Sequence, residues 1–309
     1  MQTIVLAMIL LWSSSAMAGV INVEFKFTPF VGDPIKSSQV ETVPGRASVF
    51  VNNVPVAEKQ VDKQEVPVLF EEREIAPSVW LPVQSLGPVL RKGKNKIRIE
   101  FEPTDSKMPY RAQLRWASVT DQVTKVENGP GHVQETNQSG EGVDDKKTKG
   151  GRVIFEKEFM ADFAADLPWH HYPPVSTLSA KDRQDLAMLV NERVKAFKPD
   201  FAEAYKILKN MRDLNLAEMK KAKCLEKAYA AGVRVAVQPV DKIDFATTGN
   251  PEVVVRGKTG SLFNPLDPKA FDRIKGDEVQ MCAGVALSIL YPPQLVVIHT
   301  PSGKWEVVY

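Results

Sequence analysis

Histidine, cysteine and clustered charge are where chemistry could begin in this chain. Four histidines occur, and two are adjacent in Trp169-His170-His171-Tyr172-Pro173-Pro174. A metal site needs ligands that converge, whereas neighbouring residues of an extended chain point to opposite sides, and no Cys or carboxylate stands at ligand spacing around this pair. The stretch reads instead as a stiff connector in which Trp169 and Tyr172 dock a Pro-Pro segment, with His170 and His171 part of a ligand or interface surface. His299 falls on a predicted penultimate strand. Across the hairpin it could face Trp305 or Glu306, and His299 with Glu306 would form an acid/base pair, Asp241 and Asp244 being further carboxylates for such a role. A lone histidine near a hairpin tip is more often a surface or packing residue, so no catalytic residue is assigned. Lys96, Arg98, Arg111 and Arg115 sit at polar positions of two predicted strands. They suggest a cationic face, for which a solvated sheet surface is the simpler reading, with Arg98, Arg111 and Arg115 the candidates if it binds a ligand.

Cys224 and Cys282 are the only two cysteines. On an uninterrupted helix at roughly 100° per residue, Cys224 falls among Lys220, Lys223 and Lys227, opposite the arc of Met219, Ala222, Leu225 and Tyr229. An unpaired thiol among lysines would be reactive, so a Cys224–Cys282 disulfide is expected if the compartment is oxidising. No nucleophile, phosphate-binding or metal motif is legible, and no cofactor is expected.

The compartment is suggested by the start of the chain. Residues 4–12 are apolar but too short to span a bilayer, and Ala16-Met17-Ala18 has the small-residue pattern of signal-peptide cleavage. We expect residues 1–18 to be a signal peptide and the remainder to be exported, periplasmic or secreted, with no transmembrane segment after cleavage. With 309 residues, 43% hydrophobic and 25% charged, there is material for two globular cores. A formal net charge of +2 gives no reason to invoke nucleic acid.

Two periodicities divide the rest of the chain. From Ile21 the residues alternate, with Val23, Phe25 and Phe27 on one side and Asn22, Glu24 and Lys26 on the other, as in a half-buried strand. Short strands recur, with Asn52-Asn53 suited to a hairpin turn. They predict a β-sandwich over 19–168. Residues 121–151 are polar and glycine-rich and read as mobile, either a loop within the sandwich or the interdomain linker. Residues 169–178 are the Pro-rich connector. Over 179–232 the period becomes helical, and three helices are expected. Ser179 caps the first, Asp200 with Glu203 and Asn215 with Glu218 start the next two, and Gly232 stops the third. Strands come next, together with a short helix over 268–275. A strand over 279–289 shows Val279, Met281, Val285, Leu287 and Ile289 on one face and Cys282, Gly284, Ala286 and Ser288 on the other. A hairpin about Pro301-Ser302-Gly303 closes residues 179–309 as an α+β domain, three helices on a curved antiparallel sheet.

The run Leu90-Arg91-Lys92-Gly93-Lys94-Asn95-Lys96-Ile97-Arg98-Ile99 resembles a segment of galactose-binding-like jelly-roll modules, in which leucine, glycine and asparagine precede alternating aliphatics. That resemblance implies a jelly-roll-like sandwich and a sugar or protein ligand. The order of elements over 178–309, with Gly303-Lys304-Trp305 in the last hairpin, resembles the nuclear transport factor two-like superfamily. It implies a cone-shaped fold used both by isomerases and dehydratases and by non-catalytic assembly domains. The reading we carry forward is an exported, non-enzymatic binding or assembly protein whose partner is a glycan or an envelope protein. The alternatives are a small-molecule enzyme of isomerase, dehydratase or hydrolase type and a sensor of anionic envelope polymer.

Overall fold

The computed structural model describes residues 19–69, 74–125, 132–209 and 214–308. The expected signal peptide lies outside them. The fold is mixed α+β, and its contacts group into two compact units, one from the chain up to Val51 with Pro55–Ala165, the other from Asn52–Val54 with Asp166–Tyr309.

The first unit is built from β1 (Gly19–Val31), β2 (Gln39–Thr42), β3 (Gly45–Val51), β4 (Val54–Val61), β5 (Glu65–Leu69), β6 (Glu74–Ile75), β7 (Val79–Pro82), β8 (Gly93–Pro103), β9 (Tyr110–Lys125), β10 (His132–Thr148) and β11 (Val153–Ala161). One antiparallel sheet has the order β10-β9-β1-β2-β5-β6, with β7 also pairing to β1, and the other runs β11-β8-β3-β4. The strict alternation of β1 sends Phe25 and Phe27 inward. There Phe27 meets Phe101 and Phe155 of the second sheet at 5.9 and 5.8 Å between ring centroids. All four rings are at most 1% exposed, and each contributes about 1.5–3 kcal/mol of burial. Asn52 and Asn53 take positive φ in the β3–β4 turn, as their spacing predicts. Within the Leu90 run, the buried Asn95 accepts from Arg91 N and donates to the Arg91 and Gly93 carbonyls, pinning the entry to β8.

The loop expected over 121–151 is corrected. Its beginning completes β9, and most of the remainder is β10, paired with β9 from His132↔Lys125 to Thr148↔Tyr110. Residues 126–131 lie outside the described chain. The low apolar content reflects a ladder held by backbone hydrogen bonds. Gly142 has a steric reason to be in it: a Cβ there would lie 2.0 Å from the Trp116 ring, which lies close over the strand and carries Lys157 Nζ 3.3 Å from its centroid.

The second unit contains α1 (Ala180–Lys195), α2 (Ala202–Lys209), α3 (Leu216–Ala222), α4 (Cys224–Ala230), β12 (Val235–Val237), β13 (Ile243–Thr247), β14 (Glu252–Gly257), β15 (Phe263–Pro265), α5 (Asp277–Leu290), β16 (Gln294–His299) and β17 (Trp305–Val307). β13-β14-β16-β17 form an antiparallel sheet, and β12 pairs with β15. Ser179 and Asp182 close a capping box on α1, and Asn215 accepts from Glu218 N at α3. Asp200 does not cap α2 in this way; it adopts positive φ and accepts from Ala202 N.

Two sequence expectations change here. The third helix is two helices, because Lys223 adopts the left-handed conformation (φ 54°, ψ 44°) and separates α3 from α4. That break re-phases the wheel and brings Cys224 into the core beside Leu225 and Ala228, each 0% exposed, so the lysine-lined position predicted for Cys224 is overturned. The segment read as a strand over 279–289 is α5. Val279, Ala283, Ala286 and Leu290 recur at i, i+4, i+7 and i+11, and a chain apolar on several sides fits both templates until its length decides. The 268–275 helix shrinks to a 3₁₀ turn at Phe271–Arg273.

The end of α5 is closed by α1. Arg193 Nε and Nη2 donate to the carbonyls of Leu290 and Ile289 at 2.7 and 3.0 Å, and Tyr291 Oη donates back to Val194 O at 3.3 Å. Burial holds the Arg193 pKa below its ordinary value, while the same burial pushes the Tyr291 phenol up to about 12. One apolar cluster, including Leu186, Val190, Leu225, Val255, Leu290 and Val297, fills the interior between helices and strands.

Candidate functional site

With Phe25 and Phe27 inward, β1 must present Glu24 and Lys26 outward. Strand pairing extends each into a row. Lys26 pairs with Trp80 on β7 and Arg115 on β9, and Arg115 pairs with Val143 on β10. Beside this row runs Pro82, Glu24, Ala117 and Glu141. Four strands at about 4.8 Å spacing make each row roughly 14 Å long. The surface is indented, forming a groove of about 410 Å³ bordered by Glu24, Lys26, Glu74, Arg115, Glu141 and Val143.

Lys26 and Arg115 each have an acid beside them. Lys26 Nζ lies 3.1 Å from Glu74 and 3.2 Å from Glu24, and Arg115 Nε is 4.0 Å from the second Glu74 oxygen. Burial by itself would lower the Lys26 pKa, but the hydrogen bonds the ammonium donates to Glu74 and Glu24, with their charges, outweigh it and hold the pKa above its ordinary value. Trp80 flanks this floor and is 60% exposed, and its Nε1 donates to Glu24 Oε2 at 3.0 Å. An exposed indole oriented by a carboxylate, beside a polar trough, can stack on an apolar ring face while neighbouring groups hydrogen-bond its edge.

Of the residues singled out in the sequence, only Arg115 borders this groove. The expected single cationic face is corrected, because its members lie on different sheets and each has an acid beside it. Lys96 is 2.7 Å from Glu156, Arg98 is 3.1 Å from Glu100 and lies over Phe50, and Arg111 is 3.8 Å from Asp145 and lies over Phe30. Trp169, His170 and His171 belong to a 3₁₀ turn, Pro168–His171, capped by Tyr172 N donating to Trp169 O. The two imidazoles diverge, His170 against the Trp169 ring and His171 Nε2 2.7 Å from Asp166. Among the described residues no group of three or more His, Cys, Asp or Glu could hold a metal ion.

The His299–Glu306 pair is also corrected. β16 and β17 register His299 with Trp305 and Ile298 with Glu306, so the pleat sends Glu306 to the other face. His299 stacks on Trp305 at 4.9 Å. Asp182, at the start of α1, is held by Ser179, whose hydrogen bonds keep its carboxyl below the usual range. Asp244 is paired with Arg256 at 3.1 Å, and Asp241 lies in the 3₁₀ turn Val240–Lys242. A second groove, about 360 Å³, borders α1 and α2 with Leu189, Arg193, Ile207 and Val307 in its lining. His299 is not among its lining residues. The expected disulfide is formed between Cys224 and Cys282, joining α4 to α5 rather than a helix to a strand.

Trp80 and Glu141 were not singled out from sequence. A usable signal existed for Trp80: it stands between Val79 and Leu81, both buried, so alternation places an aromatic at the outward position. Glu141 falls in the stretch whose polarity reads as a loop.

Comparison with known proteins finds no matching family model, no matching curated protein and no matching solved structure.

Proposed function

We propose that this chain is an exported, non-enzymatic binding protein of the cell envelope, with the β-rich unit as a sandwich-type recognition domain and the helical unit as an assembly or stabilising domain. The observation that carries this reading is the exposed, Glu24-anchored Trp80 beside the charged groove. Export draws support from the Cys224–Cys282 disulfide, which persists in oxidising compartments, and no helix among the described residues is long and apolar enough to cross a membrane. A jelly-roll-like topology for the first unit and a nuclear transport factor two-like relationship for the second belong to the same proposal. The test is direct. Isolated envelope fractions are titrated into the full chain while tryptophan fluorescence is followed. A saturable change that disappears in Trp80→Ala supports the reading, and an identical response in wild type and Trp80→Ala sinks it.

A further inference from the structure

We infer that the helical unit carries a redox switch: the Cys224–Cys282 disulfide maintains the break between α3 and α4, and its reduction lets the two join into one helix that turns Cys224 out of the core. This inference does not rest on the groove reading above. Local sequence favours the joined form. Residues 216–231 contain no glycine, proline or β-branched residue, yet Lys223 takes φ 54° and ψ 44° in the middle of the run. A residue with a Cβ is strained there, and α4 starts behind it without a side-chain cap. Closing the break would relieve that strain and give the amides of Cys224, Leu225 and Glu226 the carbonyls of Lys220, Lys221 and Ala222 as partners.

Packing shows what opposes it. In the joined helix Met219, Ala222, Leu225 and Tyr229 share one stripe, and all four already belong to the apolar cluster or pack against it, so they can stay inward. Cys224 cannot. Its neighbours three and four positions away are Lys220, Lys221, Lys227 and Ala228, the lysine-bearing side of the helix. In the disulfide-bonded chain the break brings Cys224 inward, 0% exposed, with its Cα 5.9 Å from that of Cys282 on α5. A bond of that reach is incompatible with a Cys224 turned to the other side. The joined helix gives up the burial of Cys224 and Ala228, and the covalent bond is what outweighs the backbone preference. The reductant is a dithiol. Its thiolate attacks Sγ of Cys282, the less buried of the two cysteines, the S–S bond breaks, and Cys224 leaves as a thiolate that takes a proton. The second thiol of the reagent then displaces Cys282 from the mixed disulfide, so two electrons pass to the protein and the reagent closes its own disulfide.

The test treats the native full chain with dithiothreitol in the absence of denaturant, pulses it with iodoacetamide and identifies the labelled cysteine by mass spectrometry. Cys224 should label at a rate that does not change with urea below the unfolding transition, as local exposure requires, and far-UV circular dichroism should show helix content rising on reduction. Lys223→Gly relieves the strain of the break and disfavours the joined helix, so in the reduced variant Cys224 labelling should slow by about tenfold or more while Cys282 labelling is unchanged. Cys282→Ser, which has no disulfide to reduce, should label at Cys224 without dithiol. Labelling of Cys282 alone overturns the switch, because Cys224 then stays buried after reduction. Labelling of Cys224 only through urea-dependent global unfolding, an equal rate in Lys223→Gly, or a helix signal that falls on reduction overturns it as well.

Discussion

The β-rich unit and the helical unit use similar polar side chains to different ends. On the outer face of the first, Glu24, Lys26, Glu74 and Arg115 neutralise one another at the floor of an open trough, and an indole stands exposed at its border. In the second, the equivalent groups finish helices: Asp182 and Ser179 close the start of α1, and Arg193 closes the end of α5. The difference follows from the elements. A strand keeps its backbone bonds in the ladder, so its outward side chains are free for a partner, whereas each helix end leaves backbone groups that side chains must satisfy. A recognition surface is therefore cheaper to build on the sheet.

That contrast can be broken at several points. Replacing both cysteines with alanine removes a cross-link spanning a sequence separation of 58, for which the chain-entropy model gives a loss of about 4 kcal/mol. Denaturant unfolding should place that loss in the helical unit while Trp80-dependent ligand binding persists. A parallel loss of binding would mean that the two units are not separable in this way. Arg193→Met should cost about 2–3 kcal/mol, because two hydrogen bonds from a charged donor are lost at a helix end, again without changing binding. Lys223→Gly should act in the opposite direction, stabilising by about 1 kcal/mol as left-handed strain is relieved. Trp80→Ala should change stability by no more than about 0.5 kcal/mol while abolishing binding, the reverse of the Arg193 result.

The smallest effect expected is a pH effect on the trough. Lys26 has a folded pKa raised above 10.5, so the stability it contributes is complete below pH 10.5 and is lost as pH rises through the higher folded value. Stability curves of wild type and Lys26→Met should accordingly converge on the alkaline side. Curves that stay parallel would show that the Glu24–Lys26–Glu74 pairing contributes nothing.

How much of this was legible depended on whether one residue's neighbours or a distant partner decided the outcome. The alternation of Val23, Phe25 and Phe27 fixed both the core face and, by exclusion, the outward Glu24 and Lys26. The caps at Ser179 and Asn215 are local hydrogen bonds between residues three apart and were readable for that reason. By contrast, the Lys223 break has no local signal, since lysine has no intrinsic preference for positive φ, and the uninterrupted wheel therefore misplaced Cys224 although it put Leu225 and Tyr229 on the core side. Segment 279–289 was ambiguous because small and large residues alternated along what is a helix packed on more than one side. His299 was paired with Glu306 although the strand register sets it against Trp305, and sequence left both hairpin neighbours open because the turn alone does not fix the register. The trough escaped notice since its lining comes from β6, β1, β9 and β10, and one of those strands has the composition of a loop.

The reciprocal bonds between α1 and α5 carry one more consequence, for the order in which the helical unit opens. Helix ends usually fray first, but the last carbonyls of α5 are held by Arg193 and the end of α1 is held by Tyr291, across about a hundred residues of sequence. Neither end can loosen without releasing the other. In native-state hydrogen exchange, the amides of the closing turns of α1 and α5 should therefore share one opening free energy and behave as a single cooperative block, a clasp that also forms late because it joins distant stretches of chain.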